Sequence, residues 1–482
     1  MKREYPKGEG VAECALKQAT IKLLHRKRSP SSIKQEEELI RKKQKNNNMI
    51  RNYITQAITM MRQHKLFTAI YIAGTALAIS FTMVLFILYY IKIAPIYPEY
   101  NRPRTMVLDY ISMKLDNTTW EVYTGGNPGF NTLRLIKELP SCDKACLVVR
   151  DEERNVPFSA TGDGLGMETA ILGLNVSDEF WQIFDFEFIA GAPMLTNGEK
   201  LTVDEGMCVI SESFAKKLYG TTDVVGRDLY IHALKAGRIC GVVKDVSGVM
   251  SATAADIYMP LQNFEEGESL TGYYSGEQMF ITTDNPESLK SEVADLVARY
   301  DQADLENKDY ELYGQPHSYT HYALGNYSFK MDDLENNVWD IVKRILFLLV
   351  IPALNLCALI SSRMDERIAE FGVRKAYGAS SWQLVKQILC ENLFLTCVGG
   401  LAGIVISYIV VCNANDWIFQ VISIAPNIDS GYGQYITPEM LFNIPLVLTI
   451  FLLCVVLNLI SALAPALWAL KNPIVYSLNS KR

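Results

Sequence analysis

From Leu66 to Ile91 the chain runs for 26 residues without a charged side chain, LFTAIYIAGTALAISFTMVLFILYYI. As a helix this run rises ~39 Å at ~1.5 Å per residue, enough to cross a ~30 Å hydrocarbon layer with some tilt. Arg51, Arg62 and Lys65 precede it and Tyr89 and Tyr90 close it. Basic residues before a span place its start in the cytoplasm, and the tyrosines suit the far interface. Ile54, Ile58 and Met61 stand at i, i+4 and i+7, which predicts an amphipathic helix on the inner surface before the span.

Three further runs extend the pattern. Ile345–Ser362 is uncharged between Arg344 and Arg363 and contains Pro352 and Asn355. It reads as a kinked second span with its polar residue turned toward protein; a buried soluble helix is the competing reading, because the run is short. The third span follows Gln387 and carries Gly399 and Gly403, a small-x-x-x-small pair suited to close helix packing. The fourth covers about 441–470.

Charge divides the chain along the same lines. Residues 1–48 carry a net +7 and residues 93–342 a net −21, and the remainder is again +7. The acidic block therefore sits across the membrane from the basic segments. Its field attracts cationic molecules and is screened by salt; solubility alone is the plainer reading. Residues 1–48 have neither the apolar run nor the cleavage site of a signal peptide and read as disordered, or as an over-long start before Met49.

Within the acidic block, strand and helix patterns alternate. GMCVISESFAKKLYG predicts a strand, a helix from Ser211 and a glycine stop at Gly220. TDVVGRDLYI, GRICGVVKDV and DIYMPL read as strands. A second lobe, about 273–330, holds a strand and a helix that starts after Asn285-Pro286.

The segment between spans two and three is the most chemically loaded stretch of the chain. Met364, Ile368 and Phe371 form an apolar stripe at helical spacing, and Glu370 can pair with Arg374 one turn on. Gly372 and Gly378 interrupt the helix, and Ser380 with Gln383 makes a capping box for the next one. Such a helix lies in the interface or docks in a partner's groove, though on pattern alone an ordinary solvated loop also fits.

Catalytic motifs are missing from the sequence. No G-x-x-x-x-G-K-[ST], G-x-S-x-G or H-E-x-x-H occurs. His317 and His321 stand at i, i+4 with no third ligand nearby, so neither a metal nor another cofactor is expected. Cys142 with Cys146, and Cys208 with Cys240, are candidate disulfides in an oxidising compartment, with the connectivity open.

The run EFGVRKAYGASSWQLVKQILCENL resembles the cytoplasmic segment of MacB/FtsX-type ABC transporter permeases. It has Phe371 in the family's isoleucine place and keeps Gly372, Arg374, Lys375, Ala376, Gly378, Ala379, Ser380 and the later Glu391. Phe184–Ala192, Val209–Gly220, Gly226–Arg227, Gly241–Asp245 and Ile257–Pro260 resemble, in order and spacing, the MacB-like periplasmic core domain. APALWALKNPIVYSL resembles the family's closing signature, with Tyr476 and Ser477 in place of glutamate-alanine.

The resemblance covers about 49–482. It implies an α-helical membrane protein with four transmembrane helices and a large mixed α+β domain inserted between spans 1 and 2. The expected layout is an amphipathic helix at 49–65 and spans at 66–92, 343–362, 387–412 and 441–470. The periplasmic domain falls at 93–342, the coupling loop at 363–386, a short periplasmic loop at 413–440 and a cytoplasmic tail at 471–482. Both termini are cytoplasmic, in a bacterial inner membrane.

It also implies that Met364, Glu366, Ile368, Glu370, Phe371, Gly372, Arg374, Lys375 and Gly378 contact a separate ABC ATPase. A second permease copy completes the assembly, with a periplasmic adaptor as a further candidate partner and no nucleic acid. The cargo would be a peptide, macrolide or lipoprotein. Alternatives are an FtsX-like mechanotransmitter that regulates an envelope enzyme and a ligand-binding receptor; the latter lacks any cytoplasmic output domain in this sequence.

Overall fold

The computed structural model describes residues 55, 58–59, 61–63, 65–115, 122–160, 167–196, 206–231, 234–250, 252–261, 270, 277–303, 308–324, 339, 342–343, 346, 357, 360–361, 370–413 and 444–471. Two compact units emerge. One comprises residues 1–75, 352–401 and 454–482, and the other residues 76–351 and 402–453.

The long helices are α1 (Lys65–Ile93), and, late in the chain, two more over Ser381–Cys412 and Ile444–Lys471. Among the described residues these three are long and apolar enough to cross a membrane. The expected span at 343–362 lies almost entirely outside the described residues.

Between α1 and the second long helix lies a mixed α/β domain. It opens with a single 3-10 turn at Arg102–Arg104, followed by β1 (Thr105–Leu108), β2 (Ile111–Leu115), β3 (Val122–Gly126) and α2 (Phe130–Lys137). Next come β4 (Lys144–Ser159), β5 (Met167–Val176), α3 (Phe180–Ile183), β6 (Phe188–Gly191), β7 (Met207–Ser211) and α4 (Glu212–Tyr219). The remainder is β8 (Asp228–Ile231), β9 (Leu234–Val243), β10 (Ile257–Pro260), β11 (Glu277–Thr282), α5 (Pro286–Ala303), β12 (Lys308–Glu311), β13 (His317–Ser318) and α6 (Tyr319–Leu324). The two later long helices are α7 (Ser381–Cys412) and α8 (Ile444–Lys471).

A ten-stranded sheet runs β13-β1-β11-β4-β5-β10-β7-β9-β6, with β8 pairing β4 and β9; β12-β2-β3 form a small second sheet. The large sheet is mixed: β5 with β10, and β7 with β9, are parallel, and the other pairings are antiparallel. β11 pairs β1 and β4 in the middle of this sheet, so the stretch read as a second lobe is divided between the two sheets.

Side chains alternate across the strands with a period of two. Met106 and Leu108, Ala145 and Leu147, Met279 and Ile281 enter one core with α2 and α5. Val107, Cys146, Val148 and Phe280 face the other way, toward Phe180, Phe184 and Tyr258. A third core, Phe158, Ile210, Phe214, Leu229 and Ile239, lies beneath α4.

Local signals set α4. Ser211 caps it by accepting from the Phe214 amide at 3.3 Å, and Gly220 ends it at φ 72°.

Candidate functional site

Residues 370–376 form a helical segment that ends in a tight turn before α7. Ala379 N donates to Arg374 O at 3.0 Å and Gly378 N to Lys375 O at 2.9 Å. That is a Schellman ending, with Gly378 at φ 89°. A capping box follows at once. Ser380 N donates to Gln383 Oε1 at 3.0 Å, and Gln383 N donates to Ser380 Oγ at 3.3 Å. The stop of one helix and the start of the next are thus satisfied within ten residues.

Beneath the turn, Phe371 is 3% exposed and packs with Tyr71, Leu384, Val385, Ile388 and Ala462. Burying such a ring is worth about 1.5–3 kcal/mol. Of the two seats open to this stripe, a partner's groove or the spans, Phe371 takes the second, and its ring is buried on the long helices. Gly372 is buried beside it. The exposed side instead carries Val373 at 45%, Tyr377 at 89% and Trp382 at 58%, with the Lys386 ammonium 5.6 Å from the Trp382 ring centre. Sequence reasoning passed over Tyr377 and Trp382; in retrospect, an aromatic at each side of a glycine turn was the signal. Met364, Glu366 and Ile368 lie outside the described residues.

Arg374 links this turn to the interior of the unit. It pairs with Glu370 at 2.6 Å and donates to Gln387 Oε1 at 2.6 Å. Gln387 Nε2 donates to Glu391 Oε1 at 2.9 Å. Gln387 and Glu391 are 6% and 3% exposed, so a buried carboxylate on α7 is tied through one amide to an arginine in the turn. Farther along α7, Thr396 Oγ1 donates to Asn392 O at 2.8 Å and accepts from Asn458 Nδ2 at 2.6 Å. Tyr71 OH reaches Asn458 Oδ1 at 3.5 Å. Among the described residues, Asn392 Nδ2, Thr68 Oγ1 and Thr75 Oγ1 are buried without a hydrogen-bond partner. Polar groups inside a membrane protein turn toward neighbouring helices rather than lipid.

The two glycines sit at helix contacts. A Cβ on Gly399 would stand 3.1 Å from Ile72 O. In the other unit, a Cβ on Gly403 would stand 2.7 Å from Ala76 O. At Gly403 α1 approaches too closely for a side chain, and at Gly399 it leaves only a tight contact.

The cysteines overturn the disulfide expectation: Cys142, Cys146, Cys208 and Cys240 are all free. Cys142 packs in the core beside α2 and α5, whereas Cys146 points into the core on the opposite sheet face. Cys208 faces the core under α4, and Cys240 faces away from it, its thiol donating to Cys208 O at 3.3 Å. Neighbouring strands bring the backbones together and aim the sulfurs apart. Burial pushes all four thiols up, those of Cys142 and Cys240 to about 11.

His317 and His321 stack with ring centres 3.9 Å apart. Burial pushes His317 down to about 4, with His321 and Lys290 acting in the same direction. Among the described residues no three His, Cys, Asp or Glu side chains converge as a metal site.

Comparison with known proteins accords with this architecture. Residues 68–299 match the MacB-like periplasmic core domain, and residues 344–474 match the FtsX-like permease C-terminal domain. The chain thus joins a MacB-like periplasmic core domain to an FtsX-like permease C-terminal domain. The ABC transporter permease YknZ of Bacillus subtilis is 25% identical over 201 residues, covering 42% of this chain and 47% of that protein. The macrolide export ATP-binding/permease protein MacB of Mannheimia succiniciproducens is 22% identical over 321 residues, covering 64% of this chain and 47% of that one. The chain therefore spans about half the length of these relatives. Among solved structures, the periplasmic region of MacB from Actinobacillus actinomycetemcomitans is similar, with TM-score 0.29 and 11% identity over 42% of this chain and 88% of that one.

Proposed function

We propose that this chain is the membrane-spanning subunit of an ABC transporter that passes ATP-driven motion from a separate ATPase chain to its periplasmic domain. The observation that carries the reading is the turn at 370–380. It is rigid by construction, seated on the long helices through Phe371, and bridged by Arg374 and Gln387 to the buried Glu391. A segment built this way moves the helices when it is pushed. Its outward side offers Val373, Tyr377 and Trp382, together with Glu370, for a groove on the ATPase.

This reading places ATP hydrolysis on a separate ATPase chain. A second span at 343–362 belongs to this reading; it raises the number of spans to four and brings both termini to the ATPase side. Two permease copies would each engage one ATPase, handling a peptide, macrolide or lipoprotein outside the bilayer.

The test is Tyr377→Asp with Val373→Asp. Both positions are exposed, so the variant inserts and unfolds as the wild type does. Co-purification of the ATPase, or stimulation of its hydrolysis rate, is expected to fall at least about tenfold, corresponding to about 1.4 kcal/mol of contact energy. Undiminished binding and hydrolysis would show that this turn is not the docking element.

A further inference from the structure

At the outer end of α1 the structure places a buried ionic cluster that no apolar contact requires. Arg102 Nη1 donates to both Ile91 O and Ala94 O at 2.7 Å, two carbonyls at the helix end that lack intrahelical donors. Its Nε meets Glu99 Oε2 at 2.7 Å, its Nη2 lies 2.8 Å from Met250 Sδ, and its guanidinium stands 4.8 Å from the Tyr319 ring centre. Glu99 accepts in addition from Thr253 Oγ1 at 2.6 Å and from the Tyr319 hydroxyl. The Arg102 and Glu99 side chains are 3% and 0% exposed.

Four pieces of chain meet there: the end of α1, the segment 94–104, residues 246–250 with 252–254, and α6, which begins at Tyr319. Apolar packing already joins α1 to the domain, through Ile87, Leu88 and Ile91 against Val246, Val249, Met250 and Ala254. An apolar residue in place of the ion pair would hold the junction as tightly, since buried pairs recover little more than their desolvation cost. Hydrogen bonds add direction: greasy contacts slide, but a guanidinium fixed to two carbonyls and a carboxylate sets the rotation and register of the helix end.

We infer that Arg102 is a positioning residue that, with Glu99 and Tyr319, clamps the outer end of α1 to the base of the domain and to α6, so that motion of the span reaches the domain undamped. This inference rests on the reading of the chain as an ATP-driven permease.

The test is hydrogen exchange on the full chain in lipid nanodiscs with its co-purified ATPase, with and without Mg·ATP and vanadate. Arg102→Gln and the milder Tyr319→Phe, which keeps the ring and removes the hydroxyl, are compared with wild type. Without nucleotide, Arg102→Gln is expected to speed exchange at 88–104 and 317–324 together, on the order of a hundredfold, while β7 and β9 stay protected. With nucleotide, both variants should keep the wild-type response at 370–380 and lose it, in full or in part, at β10 and α5. A domain response that persists in both variants would reduce the cluster to a structural role and overturn the inference. So would acceleration confined to one of the two segments. If the wild-type complex responds to nucleotide nowhere, the permease reading itself fails and this inference falls with it.

Discussion

Asn458 on α8 and Thr396 on α7, 62 residues apart in sequence, meet through a 2.6 Å hydrogen bond in a buried site that also receives Tyr71 from α1. One side-chain amide thereby ties together three long helices. Interhelical polar contacts of this kind are worth about 0.6–1.7 kcal/mol in membrane proteins. Asn458→Leu removes the amide and leaves Thr396 to its own backbone, so thermal unfolding of the detergent-solubilised chain should show a loss of about 1 kcal/mol. Thr396→Val should cost about as much, and the double variant no more than the larger single one. Additive losses would show that the two residues do not act as a pair.

The glycine contacts with α1 differ in tightness, and the difference is measurable. A methyl at Gly403 meets a carbonyl at 2.7 Å, whereas at Gly399 the nearest atoms are at 3.0–3.1 Å. Gly403→Ala should therefore destabilise the chain by about 1–3 kcal/mol, and Gly399→Ala by clearly less. Equal unfolding midpoints for the two variants would contradict the geometry.

Gly378 has open space around it, and its demand is conformational. With φ at 89° and nothing within 4 Å of a built Cβ, Gly378→Val costs backbone strain alone, about 1–3 kcal/mol. Gly378→Asn should cost roughly half as much, because asparagine tolerates positive φ. Hydrogen exchange at the Gly378 and Ala379 amides reports the loosened turn directly.

Asp256 gives the domain a pH dependence with a definite sign. Burial raises its carboxyl to about 6, against the help of the Leu172 amide, which donates to it at 3.1 Å. The folded state holds this proton more tightly than the unfolded chain. Its contribution is thus full below pH ~4 and is lost as the pH rises through ~6, by at most about 3 kcal/mol. Asp256→Asn keeps an acceptor for Leu172 and removes the titration. Melting curves between pH 4 and pH 8 should show the variant gaining on the wild type as the pH rises; parallel curves would exclude Asp256 as the source.

What the amino-acid order determined by itself was local or periodic. Freedom from charge between Leu66 and Ile91 compels a helix, because a backbone in lipid must satisfy its own polar groups. Ser211 and Gly220 bound α4, and Gly378, Ser380 and Gln383 build the turn before α7, through contacts that reach no farther than five residues. The Glu370–Arg374 pair is one helical turn and was legible for the same reason.

Only the tertiary structure decided which way side chains face once distant strands and helices meet. Cys208 and Cys240 lie on paired strands, yet their sulfurs enter different cores. β11 reads as the start of a new lobe and lies inside the large sheet, since strand pairing is chosen by long-range fit rather than by neighbours in sequence. Phe371 belongs to an amphipathic stripe that could have faced a partner or the spans, and the positions of Tyr71 and Ile388 settled it. In sequence, Arg102 is a single basic residue 11 positions past Ile91. Its hold on Glu99 could be guessed from their spacing, but its burial with Thr253 and Tyr319 depends on segments more than 150 residues away, brought together by packing that no local rule encodes.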